Sequence, residues 1–350
     1  MKRFFLIVLL SLISVTYIGS ALIRSVSNRP QEIPGMYTSV QSAIDAASPG
    51  DTLYITPTNL NYGDFTINKS LVITGGRGFS YSSDQFISLV NTIVLSSSNV
   101  LIEGLKCQII TGAITTGNDE ISIRRCFIVG NIVVSGNNWT IYNNTITGTS
   151  SINFQNNDNI LVANNIFWVY CGIVFLNSNS SNVAIQNNMI RGLGYYYYYY
   201  GATFAYLASQ ISNCLFSNNI IQDCGYSLLS GVETSIFSNN ISNSYNLPFG
   251  NNVGENNILG DPMLVNMDCT QEFNFSNFHL QNGSPCIGAG VDGTDICLYG
   301  GLFPWSPDLT ADVPDYSFQP LIPQIRALTL EYRRISPDGM LHINVSAEKK

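Results

Sequence analysis

Charge is scarce in this chain. Of 350 residues only 11% are Asp, Glu, Lys or Arg, against about 25% in ordinary soluble domains. Histidine occurs twice, as His279 and His342, and no Lys or Arg stands between Arg191 and Arg326. From Phe127 to Ile190 the sole acid or base, setting aside Tyr and Cys, is Asp158. A net charge of −8 with so few bases argues against a nucleic-acid partner, whose phosphates demand clustered Lys and Arg. It also leaves little material for proton-transfer chemistry. None of the eight cysteines (Cys107, Cys126, Cys171, Cys214, Cys224, Cys269, Cys286 and Cys297) stands in a CxxC pair, which speaks against a zinc site. No metal ligand set is assigned. One reading of these thiols is as small apolar core fillers.

What the chain has in abundance is a repeat. Ile-x-x-Asn-Asn-Ile recurs as Ile141–Ile146, with Asn143 and Asn144, and returns around Asn164 and Asn165, Asn187 and Asn188, Asn218 and Asn219, and Asn239 and Asn240. The same frame fits Leu105 and Cys126 upstream and Asn257 downstream, with steps of 21, 18, 21, 23, 31, 21 and 17 residues. A repeat of this length signals a solenoid whose coils bury their apolar edges on one another. Between the Asn pairs run short alternating segments such as Ile152-Asn153-Phe154 and Ile173-Val174-Phe175, which read as strands, with Gly, Asn and Ser clusters as turns. Two or three short strands per coil point to a parallel β-helix. Asn tolerates left-handed backbone. In register, both Asn columns are expected to form ladders at about the 4.8 Å strand spacing, each amide satisfying the next. The expected fold class is therefore all-β.

The two ends carry other signals. Residues 1–25 open with Lys2-Arg3, continue apolar from Phe4 to Ile23, and contain Gly19-Ser20-Ala21. That is the pattern of an export signal cleaved at small residues; an uncleaved membrane anchor is the competing reading, and would be the chain's only membrane contact. Either way the rest is expected outside the cytoplasm, secreted or on the surface. Val40, Ala43, Ile44 and Ala47 share a helical face behind Thr38 or Ser39 as N-cap. Residues 302–324, rich in Pro and Asp, read as a linker, and residues 325–350 as a strand, turn and strand.

Taken together, the Asn-Asn coils, the helix near the start and the segment from Phe278 to Gly301 resemble the right-handed parallel β-helix proteins of the pectate-lyase-like superfamily. The match covers roughly residues 36–301. The resemblance implies a helix closing the first coil against stray strand pairing, and a C-terminal hairpin extension beyond the solenoid. Cys286 and Cys297 fall in the closing segment, where that family more often has small residues, and in an oxidised exported chain they are a candidate disulfide.

The same resemblance suggests polysaccharide cleavage, which makes specific demands on the residues. A lyase needs an Arg or Lys base, usually with calcium on several carboxylates, and a glycosidase needs paired acids. The family's Asn-Thr-Asp, Asp-Asp and Gly-His-Gly motifs are absent. The best polar cluster is Glu103, Lys106, Asp119, Glu120, Arg124 and Arg125. In register, Glu103 and Arg124 stack as an ion pair on a solvated face; in the sharper reading Arg124 or Arg125 is a lyase base, and only then is calcium expected. The six tyrosines Tyr195, Tyr196, Tyr197, Tyr198, Tyr199 and Tyr200 sit in the 31-residue step, where an extruded loop would offer aromatic faces to sugar rings. The expectation is a β-helix that binds an extracellular polysaccharide or a cell-surface protein without catalysis or cofactor. The alternatives are a lyase or glycoside hydrolase, or a structural cell-surface spacer.

Overall fold

The computed structural model describes residues 21–29, 34–76, 87–112, 118–148, 152–169, 172–178, 180–192, 195–197, 201–203, 205–209, 211–223, 232–244, 246–267, 277–305, 324–330 and 343–348. Its strands stack in parallel into three long sheets of ten, eight and seven strands. From Val100 to Ser209 the coils visit the three sheets in turn, so the protein is an all-β parallel solenoid. The ten-stranded sheet starts at Ile23–Val26 and ends at Ile236–Ser238.

Register explains why the chain winds this way. Leu53, Ile73, Ile102, Ile123, Ile141, Val162, Ile185, Phe216 and Phe237 pair in a single row through the ten-stranded sheet. All are fully buried. Each such side chain contributes about 1.5–3 kcal/mol by leaving water, and a one-residue slip would turn the whole row outward. At the C-terminal end the row becomes aromatic, with Phe216 and Phe237 stacked at 4.6 Å and Phe249 edge-on to Phe237 at 5.6 Å.

Two corners of each coil are made by single residues at positive φ. One holds Gly104, Arg125, Asn143, Asn164, Asn187, Asn218, Asn239 and Asn256. The other holds Asn99, Glu120, Asn138, Asn159, Asn182, Asn213 and Thr234, each five residues earlier. The strand between the corners belongs to the ten-stranded sheet. Asn dominates both corners because its short amide tolerates the left-handed region.

The first coil is closed by the α-helix Val40–Ala46, with Ser39 as N-cap accepting from the Ser42 N–H. Val40, Ala43 and Ile44 are buried against the first strands. Lys69 Nζ ends the helix, donating to the carbonyls of Ile44, Asp45 and Ala47 at 2.8–2.9 Å, as a cation at a helix C-terminus should.

A second apolar layer lies outside the solenoid. Phe127, Ile166, Trp168, Met189, Ile220 and Ile241 project from the eight-stranded sheet and pack with Phe278, Cys286, Ile296, Cys297, Leu298 and Trp305. The segment up to Trp305 is thus a strap on the solenoid wall. The sequence reading placed a surface linker from residue 302; residues 302–305 instead continue the strap, because Trp305 is buried and its indole N–H donates to the Asn164 carbonyl at 2.7 Å. Residues 306–323 lie outside the described residues. Beyond them, strands Gln324–Leu330 and Ile343–Glu348 pair antiparallel with a register shift between Ile325 and Ala327.

Candidate functional site

The second Asn of each pair faces inward and builds an unbroken amide column. Asn144, Asn165, Asn188, Asn219 and Asn240 each donate Nδ2 to the next coil's Oδ1 at 2.9–3.1 Å, ending on Asn257. The same Oδ1 accepts the backbone N–H of the preceding Asn, and the remaining Nδ2 hydrogen goes to a carbonyl one coil back, as from Asn188 to Val162. These amides are buried with both donors and the acceptor engaged, so the column closes on itself and offers nothing to a ligand.

The first Asn column departs from the expected ladder. Its residues stand at the positive-φ corner, which turns their side chains onto the strap. Asn143 donates to the Phe303 carbonyl at 2.8 Å, Asn164 to those of Leu298 and Gly300, Asn187 to that of Cys297, and Asn239 to that of Ala289. Asn218 accepts from the Val291 N–H at 2.9 Å. One amide-to-amide contact remains, from Asn218 to Asn187 at 3.3 Å. The paired asparagines therefore divide the work: one holds coil to coil, the other holds strap to corner.

Where the strap ends, the polar cluster begins. Glu103, Arg124 and Tyr142 occupy successive places in one row of the ten-stranded sheet. Glu103 Oε2 takes Arg124 Nη2 and Oε1 takes Arg125 Nη1, both at 2.8 Å. The Glu103 side chain is only 8% exposed, against 29% and 22% for the two arginines. Arg124 also donates Nη1 to the Tyr142 hydroxyl at 2.9 Å, and the Tyr142 ring stacks on Phe303 at 4.1 Å. Burial acts to lower the Arg124 pKa, yet the hydrogen bonds its guanidinium donates to Glu103 and Tyr142 outweigh burial and leave the pKa raised. Lys106, next to the corner, stands over the Phe127 ring at 5.1 Å. Asp119 is occupied elsewhere, its carboxylate accepting the Asn137 N–H at 2.7 Å. Glu120 is a corner residue at φ 58°.

The tyrosine run starts as a hairpin. Tyr195, Tyr196 and Tyr197 pair antiparallel with Thr203, Ala202 and Gly201, apart from the three long sheets. Tyr198, Tyr199 and Tyr200 lie outside the described residues.

Five thiols are free and buried: Cys107, Cys126, Cys214, Cys286 and Cys297. The disulfide raised for Cys286 and Cys297 is not formed. Burial raises all five pKa values, to about 12 for Cys126 and Cys214 and about 11 for Cys286. Cys171, Cys224 and Cys269 lie outside the described residues. Beside the strap thiols, His279 stacks on Tyr299 at 4.4 Å and its Nδ1 meets Asn277 Oδ1 at 2.7 Å. Among the described residues no three His, Cys, Asp or Glu side chains gather closely enough to hold a metal, and no helix is long and apolar enough to cross a membrane.

Sequence reasoning missed the second positive-φ corner, although its signal was present: Asn138, Asn159, Asn182 and Asn213 each precede a first-column Asn by five residues. It also missed the pairing of Tyr142 with Phe303. Those rings are 161 residues apart in the chain, and no local pattern links them.

No protein-family model matches the sequence, and no curated protein matches it. Among solved structures, pectate lyase Pel9A aligns with a TM-score of 0.46 at 15% identity, covering 82% of this chain and 96% of that chain. At that level of overlap no chemistry is carried across.

Proposed function

We propose that this protein is an exported, non-catalytic β-helix that binds an extracellular polysaccharide or a cell-surface partner along its ten-stranded face. The observation that carries the reading is the state of the Glu103 cluster. A lyase base must start unprotonated to take the proton beside the uronate carboxyl, yet Glu103 and Tyr142 hold Arg124 in its charged form. Arg125 shares the same carboxylate. What this cluster offers is guanidinium edges beside the stacked Tyr142 and Phe303 rings, a surface that suits hydroxyl-rich rings through stacking and hydrogen bonds. The hairpin begun by Tyr195, Tyr196 and Tyr197 would add aromatic surface to the same molecule.

Two measurements test this. The protein, Tyr142→Ala and a chain lacking the six tyrosines are passed over immobilised polysaccharides, neutral and uronate-rich. Retention of the parent, weakened in either variant, supports the reading. The same polysaccharides are incubated with the protein while unsaturated-sugar absorbance and new reducing ends are followed. Turnover that disappears in Arg124→Ala and Arg125→Ala overturns the non-catalytic assignment; no retention and no turnover favours a spacer.

A further inference from the structure

Leu22 is where the described chain first enters the hydrogen-bonded fold. Its N–H donates to Asp51 Oδ1 at 2.8 Å, and its carbonyl accepts from the Thr52 N–H at 2.8 Å. Asp51 is 2% exposed. Its other oxygen, Oδ2, is taken by Arg24 Nε at 2.9 Å and the Ser48 N–H at 3.0 Å. A buried carboxylate thus spends one whole oxygen on a single main-chain nitrogen. Leu22 is 53% exposed and Ile23 75% exposed, so the backbone reaches this nitrogen from solvent. Immediately before it the sequence is Gly19-Ser20-Ala21. Ala21 and Gly19 are small at the first and third positions ahead of the Ala21–Leu22 bond, the pattern that export peptidases cut.

We propose that the Ala21–Leu22 peptide bond is the maturation site, hydrolysed by an export signal peptidase, and that Asp51 is the acceptor built for the α-ammonium this creates on Leu22. The proposal rests on residues 1–25 being an export leader and is independent of what the protein binds. One water is consumed: the bond between the Ala21 carbonyl carbon and the Leu22 nitrogen breaks, the carboxylate stays on Ala21, and the Leu22 amine takes a proton. The existing hydrogen bond becomes an ion pair without movement of Asp51. A cut further upstream would leave an uncharged amide at Asp51. A cut one bond downstream would remove Leu22 and with it both of its hydrogen bonds, to Asp51 and to Thr52, and a cut beyond that would remove residues of the strand Ile23–Val26, which pairs with Thr52–Ile55 across four residues. Two cations sharing one buried carboxylate already occur in this fold, at Glu103 with Arg124 and Arg125. The main-chain N–H of Leu22 is also the largest cause of the lowered Asp51 pKa; an ammonium there would lower it further.

The full chain is expressed in an exporting host, and the released protein is read by intact mass and N-terminal sequencing. A first residue of Leu22, lost in Ala21→Leu, is expected; any other first residue, or a retained leader, overturns the proposal. The acceptor role has its own test. A chain begun at Leu22 and one begun at Gly19 are compared by thermal midpoint from pH 6.5 to 10. An α-ammonium paired with a carboxylate has its pKa raised above the usual value of about 8. Its stabilisation is present below that value and is lost as pH rises through the folded-state pKa. The Leu22 chain should therefore melt about 2 °C or more higher at pH 6.5, with the gap closing by pH 10. Equal midpoints at pH 6.5 would remove Asp51 from the proposal, whatever the cleavage result.

Discussion

Asn188 Nδ2 donates to Asn219 Oδ1 at 3.0 Å across a step of 31 residues. The neighbouring rungs span 23 residues, from Asn165 to Asn188, and 21, from Asn219 to Asn240, with lengths of 3.1 and 2.9 Å. The longer step, with the hairpin of Tyr195–Tyr197 and Gly201–Thr203 set apart from the three long sheets, thus leaves the column undisturbed. Coil length varies and rung geometry does not, because the amide must meet its neighbour at the strand spacing or remain buried and unsatisfied.

Replacing Asn188 by Ala should therefore be costly. The change strips donors from the Val162 carbonyl and Asn219 Oδ1 and leaves the Asn165 N–H and amide facing a void. Denaturant unfolding should show a loss of about 2–5 kcal/mol, since each buried group left unsatisfied costs about 1–3 kcal/mol. Deletion of the six tyrosines should cost less than about 1 kcal/mol, because the column continues past them. If the two changes cost the same, the column does not carry the coil stacking.

The legibility of this chain follows the range of the interactions involved. The coil period and inner rows were readable because each residue in them repeats the same local demand, an apolar side chain facing inward or an Asn at a corner. The roles of the two Asn columns were not separable in sequence. Asn143 and Asn144 are adjacent and chemically identical, and only the positive φ of Asn143 and the arrival of Phe303 assign one to the strap. The Glu103–Arg124 stack was visible as a one-coil offset. The second arginine on Glu103 was not, since Arg125 reaches it from the corner rather than from the strand.

Glu103 supplies the second prediction. It is a largely buried carboxylate between two partly exposed arginines, so Glu103→Gln leaves two like charges side by side with a weak neutral acceptor. Unfolding stability should fall by about 1–3 kcal/mol. High salt should recover part of that loss in the variant, because screening relieves the Arg124–Arg125 repulsion. Arg124→Gln should cost less, since Glu103 keeps Arg125.

The thiols give the third. With pKa values pushed up to about 12, Cys126 and Cys214 expose roughly one thiolate in 10,000 at pH 8, and the thiolate is the reactive form. Burial blocks the reagent as well. Cys107, Cys126, Cys214, Cys286 and Cys297 should resist alkylation at pH 8 in the native protein and react within minutes in denaturant, as read by peptide mass spectrometry. Fast native labelling at Cys286 or Cys297 would mean that the strap lifts from the wall.

Acid should loosen the strap before it unfolds the solenoid. Burial lowers the His279 pKa below its usual 6.5. The Nδ1 contact with Asn277 Oδ1 makes Nδ1 the donor and leaves a buried Nε2 that has no hydrogen-bond partner. The fold thus favours the neutral ring, so this contribution is complete above about pH 6.5 and is lost as pH falls through the depressed folded value. Asp51 and Asp292, whose pKa values are lowered, withdraw their contributions only below about pH 4, so they are silent between pH 7.5 and 5. His279→Phe keeps a ring on Tyr299 and removes the titration. Its thermal midpoint should fall less than the parent's between those two pH values, and the parent alone should show faster proteolysis of residues 277–305 at pH 5. Parallel declines in the two proteins would remove His279 as the source.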